Sequence, residues 1–146
     1  MKEDYLYSLT DAEKLITNFN NCTLPKEDWT HEAHLIGGLW MLSQYGDGAL
    51  DEMRTRIRRY NESVGGVNDD HNGYHETLTV FWLWALKEMF ADEEGKLYWN
   101  QDALDDLLFD ETLADRNLWS AFYSKERMMS VEARRGYVAP DLSAVE

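Results

Sequence analysis

Cysteine is almost missing from this chain. Cys22 is the only one, so no internal disulfide can form. That scarcity fits a reducing compartment, and the expected setting is the cytoplasm. Proline is nearly as rare: Pro25 sits in a loop and Pro140 opens the tail. No apolar run reaches about 18 residues, which excludes a membrane-spanning helix. Lys2, Glu3 and Asp4 leave the start of the chain without an apolar signal region. Positive charge is also short. Fourteen Lys and Arg face 28 Asp and Glu, for a net charge of −14. Such a field repels phosphate backbones and anionic bilayers, so neither nucleic acid nor membrane is an expected partner. Glycine-rich phosphate loops, dinucleotide fingerprints and serine elbows are absent. Cys22 has no basic neighbour in sequence, so no cysteine nucleophile can be assigned. Without secretion, the sequons at Asn21 and Asn61 are chance matches.

What remains is a core-forming sequence. The chain is 44% hydrophobic with six Trp, which argues for a packed globule over a disordered one. At 146 residues it is most simply one domain, 1–146. The dominant stretch is 29–45. Thr30 suits an N-cap, and Asp28 and Glu32 place negative charge at the positive end of the helix dipole. At about 100° per residue, His31, His34, Leu35, Gly38 and Leu42 fall on one stripe, while Ala33, Leu39, Trp40 and Met41 cover the other sides. A helix apolar nearly all round is buried on most faces. Gly37 and Gly38 each cost about 1 kcal/mol against Ala, which close approach of a neighbour would explain. Asp47 between Gly46 and Gly48 ends the helix.

Other helices follow the same rules. Thr10 and Glu13 form a capping box for a first helix with Ala12, Leu15, Ile16 and Phe19 inward. A third runs over 49–61, with Leu50, Met53, Ile57 and Tyr60 inward. The segment 65–73 is the most loop-like, and its glycines suggest a hinge. A fourth helix, over 74–91, is almost continuously apolar at its centre and so is a second buried one. A fifth starts at Trp99 or Asn100; its acids, from Asp102 to Asp115, follow no metal spacing and read as a solvated face. A last helix is expected over 125–135, with Ser124 as cap and Gly136 as a left-handed C-cap. The predicted fold is therefore all-α: a bundle of five to six helices with two central apolar ones.

Three histidines could carry chemistry. His31 and His34 lie one turn apart on one face, and His75 opens the other apolar helix. If the two helix starts meet, three imidazoles converge in a polar pocket. Three His with an open position suit a divalent metal, Zn, Ni or Fe(II). The same convergence also suits a metal-free pocket, and helix-start histidines can be purely structural. The spacing is not that of the metalloprotease signature. Glu76 or Glu126 is the candidate acid/base. Arg127, Ser130 and Arg134 would share one face of the last helix and could grip a carboxylate or phosphate.

The blocks Trp29-Thr30-His31-x-Ala33-His34-Leu35, Tyr74-His75-x-Thr77-x-Thr79 and Glu126-Arg127-Met128-x-Ser130-x-x-Ala133-Arg134 resemble a family of small uncharacterised bacterial helical proteins. The resemblance implies only that these blocks belong together. A looser similarity, by histidine number and helical class, is to DinB-like helical metalloproteins. Two functions are expected: a metal-dependent enzyme acting on a small anionic substrate, or a non-catalytic binding module, a candidate homodimer, with structural histidines.

Overall fold

A computed structural model describes residues 7–142. Among the described residues the regular structure is helical throughout, with no strand. Helix α1 spans Leu9–Asn20, α2 His31–Tyr45, α3 Ala49–Ser63, α4 Glu76–Phe90 and α5 Gln101–Leu108. Three short turns of helix follow: α6 (Glu111–Ala114), α7 (Lys125–Met128) and α8 (Val131–Arg135). Among these residues no helix is long and apolar enough to cross a membrane.

The two apolar helices are central, as their all-round hydrophobicity requires. Helix α2 packs on α3 and α4 and also touches α1 and α5. Its residues from Leu35 to Leu39 are all buried. A Cβ on Gly38 would stand 2.8 Å from Leu86 Cδ1 of α4, so this glycine permits a close approach of the two helices. His31 meets Trp82 and Gly38 meets Leu86, so α2 and α4 advance in the same sense. Their starts therefore lie towards one end of the bundle.

The caps explain the boundaries. Thr30 Oγ1 accepts from Ala33 N (3.2 Å), and Asn100 Oδ1 accepts from Ala103 N (2.8 Å). Three expectations need correction. Ser8, not Thr10, caps α1, with Oγ accepting from Asp11 N at 3.0 Å. Glu13 instead accepts from Trp99 Nε1 (2.9 Å), linking α1 to the start of α5. The last helix is not continuous over 125–135. Ser130 adopts extended backbone (φ −72°, ψ 157°) and caps α8, so the chain breaks between α7 and α8. Gly136 is extended too, with φ −157°, and is not a left-handed cap.

The C-terminal segment is tied down by polar groups. Thr77 Oγ1 donates to Gly136 O (3.0 Å) and accepts from Val138 N (3.1 Å). Tyr123 Oη donates to Val138 O (2.7 Å).

Candidate functional site

The starts of α2 and α4 open into one cavity of about 870 Å³. That is within the range of small-molecule sites. His31, His34 and the sequence-distant His75 all line it. What each ring can do depends on where its two nitrogens are spent.

His75 has neither nitrogen to spare. It is the N-cap of α4, and its Nδ1 accepts from Leu78 N at 3.1 Å. An accepting Nδ1 places the proton on Nε2, which donates to the Met128 carbonyl at 2.8 Å. Burial is the main cause that lowers the His75 pKa, and Arg134 pushes the same way. His31 is half committed: Nε2 donates to Leu113 O (2.8 Å), and the ring edge meets Trp82 with centroids 4.7 Å apart. Its Nδ1 has no partner among the described residues.

His34 is the most distinctive. Its Nδ1–H donates to the Thr30 carbonyl at 2.7 Å, which fixes the tautomer and leaves the Nε2 lone pair unpartnered among the described residues. The ring lies against Trp29, with centroids 3.9 Å apart. Trp29 in turn stacks on Phe19 at 4.2 Å. A Cβ on Gly37 would stand 3.8 Å from Trp29 Cη2, an ordinary contact, so the stack does not depend on this glycine. Burial lowers the His34 pKa to about 4, outweighing the Thr30 carbonyl; His31 and the Arg116 guanidinium act in the same direction as burial. His34 is thus neutral at pH 7 and acts as an acceptor.

The metal centre is not assembled in this geometry. Among the described residues no group of three or more His, Cys, Asp or Glu is placed to hold a metal. The reason lies in the donors: His75 is saturated, and the cavity lining contains no Asp, Glu or Cys to replace it.

The other candidates are elsewhere. Glu76 is buried and lines a second, smaller groove of about 380 Å³ together with Arg134. Its carboxylate accepts from Arg54 Nε (2.9 Å), Arg54 Nη2 (2.6 Å) and Tyr74 Oη (2.7 Å). Burial opposes its charge, but these partners win and hold its pKa below the usual range. A carboxylate so engaged is a crosslink between α3 and α4 rather than a free base. Glu126 is exposed and lines neither cavity. The Arg127–Ser130–Arg134 cluster does not form, because the break at Ser130 separates its members. Arg127 Nε donates to Ala139 O (2.6 Å), and Arg134 Nη1 donates to Gly73 O (2.8 Å). Ser130 Oγ accepts from Ala133 N (3.1 Å) and donates to Arg127 O (2.7 Å).

The segment 65–73 does border the cavity through Gly66, Val67, Asn72 and Gly73. It is knitted rather than hinge-like. Asn68 Oδ1 accepts from Asn61 Nδ2 and Tyr74 N, and Asp69 Oδ1 accepts from His71 N and Asn72 N. Arg116, Lys26, Trp82 and Trp119 line the cavity too. Sequence reading passed over Arg116. The available signal was its isolation: it is the only basic residue between Lys96 and Lys125. Comparison with protein-family models, curated proteins and solved structures finds no match.

Proposed function

We propose that this chain is a small-molecule enzyme in which His34 Nε2 accepts a proton from a substrate held in the large cavity. One observation carries the reading: a neutral imidazole, locked in one tautomer by Thr30, has no Nε2 partner among the described residues and lines a cavity large enough for a metabolite. A base must first be within reach and unengaged, and His34 meets that condition. A pKa near 4 makes His34 a weak base in the empty protein. A negative group on the substrate would raise it, by favouring the imidazolium. The same low pKa favours a second reading, in which the cavity only binds its ligand and His34 acts as a hydrogen-bond acceptor. Glu76, Glu126 and the arginines of the last segment have no part in either reading. His75 sets the shape of the cavity and is given no ligand role.

The test is to incubate wild type and His34→Gln with a metabolite extract and follow both mixtures by mass spectrometry. Consumption of a compound by wild type alone supports the enzyme. Retention of a compound without turnover supports the binding module. If no compound is retained or consumed by wild type, the cavity is not a ligand site.

A further inference from the structure

Resting on the cavity as a ligand site, we infer that its ligand is an aromatic acid: a flat apolar body against Trp82 and Trp119, with a carboxylate or phosphate at Arg116 and Lys26. The first support is charge. About one residue in five of the chain is acidic, yet none lines the cavity, whereas Lys26 and Arg116 do. The sign of this site is opposite to that of the molecule, so a local requirement has overridden composition. The second support is availability. Neither Lys26 nor Arg116 has an ion-pair partner among the described residues, while Arg54, Arg56 and Arg135 all do. The acids beside them are outside the lining: Glu27 and Asp28 follow Lys26, and Asp115, before Arg116, accepts from Asn117 N at 2.9 Å. A guanidinium without a carboxylate, at the edge of an aromatic pocket, suits a bidentate anion.

The third support is the wall itself. Trp82 and Trp119 are half-buried, and Leu78 and Val64 extend the apolar surface between α3 and α4. Trp82 is met edge-on by His31, and Trp119 has no stacked ring among the described aromatic pairs. Flat rings bury large apolar area against such walls. His34 Nε2 and His31 Nδ1 then stand as acceptors for an N–H or O–H of the same ligand.

The experiment is calorimetric titration with matched acid and amide pairs: indole-3-acetate with indole-3-acetamide, 1-naphthoate with 1-naphthamide, and phenyl phosphate with phenol. Each is run on wild type and Arg116→Gln. Arg116 is exposed, so this variant keeps the fold, which circular dichroism checks. The charged member should bind about ten- to a hundredfold tighter in at least one pair, the range of a charge-assisted hydrogen bond. Arg116→Gln should cut that ratio severalfold, and Lys26→Gln combined with it should bring the ratio close to one. The carboxylate and phosphate arms show which anion is preferred. Equal binding of charged and neutral members overturns the inference and leaves the cavity as a ligand site. A charged preference that Arg116→Gln leaves undiminished also overturns it, because the anion then sits elsewhere. If no probe binds, the aromatic-acid assignment fails, and the metabolite extract separately decides the fate of the cavity.

Discussion

Replacing His75 by Ala should lower stability by about 2–4 kcal/mol without any metal being involved. The ring has two jobs. Its Nδ1 caps α4 at Leu78 N, and loss of an N-cap costs about 1 kcal/mol. Its Nε2–H satisfies the Met128 carbonyl in the interior, and orphaning such a group costs about 1–3 kcal/mol. For a chain of this length the sum lowers Tm by roughly 5–15 °C. His75→Asn separates the two jobs. Asn is among the best N-caps but is too short to reach Met128, so it should recover about 1 kcal/mol of the loss. The assay is urea denaturation of untagged wild type and both variants, with Zn, with Ni and with chelator. A metal ligand behaves otherwise: at a hundredfold excess over its Kd the metal adds about 2.7 kcal/mol to wild type, and His75→Ala abolishes that gain. Either that pattern, or a chelated His75→Ala within experimental error of wild type, refutes the hydrogen-bond account.

Acid should destabilise the fold through His34. Its pKa is about 4 folded against 6.5 unfolded, so its contribution is intact above pH 6.5 and is lost as pH falls towards 4. That shift is worth about 3 kcal/mol, and the nearby Arg116 guanidinium also opposes its protonation. Urea midpoints of wild type and His34→Gln at pH 7 and 4.5 should converge in acid, and parallel curves would dismiss the effect. Glu76→Gln should cost about 1–2 kcal/mol, the value being reduced because the Arg54 side chain is 37% exposed. Ligand binding in the large cavity should be unchanged in that variant, and a loss of binding with the fold intact would return Glu76 to the site. Gly73→Ala should cost roughly 2–4 kcal/mol, since Gly73 has φ +80° and a Cβ there would stand 2.3 Å from the Val67 carbonyl oxygen. A thermal scan within about 2 °C of wild type would contradict the rigid loop.

The fold was legible where local chemistry is strong. Helices α2 and α4 announce themselves by apolar residues on every face, and Thr30 and Asn100 cap as their side chains suggest. The ends were less legible where two caps compete. Ser8 and Thr10 are both good caps, and the choice is made by packing: Leu9 N donates to Gln101 Oε1 of α5, 92 residues away. The last helix misled for a similar reason. Periodicity over 125–135 is helical, but Ser130 can cap as well as continue, and contacts of α8 with α4 favour the cap. At the site, the three histidines that the sequence singled out all border one cavity, but their partners could not be read from residue type. Leu113 O, Thr30 O and Met128 O are backbone atoms, invisible in residue type. Arg116 was legible only as an isolated base, and its place on the cavity wall depends on the path of the chain after α6.

His34 and His75 show why residue type at a helix start does not decide role. Both are histidines near the first turn of a buried helix, and both line one cavity. The difference is four positions along the helix: His75 is the N-cap itself, whereas His34 lies four residues beyond the N-cap Thr30. At the N-cap position, His75 Nδ1 faces the free backbone N–H groups of the first turn and must accept, so Nε2 must carry the proton. Inside the first turn, His34 has no free N–H to cap. Its Nδ1–H instead donates back to the carbonyl of Thr30, four residues earlier, and the lone pair is forced onto Nε2. Opposite tautomers follow from helix geometry alone. One ring is thereby consumed by the fold, while the other keeps an acceptor without a partner among the described residues.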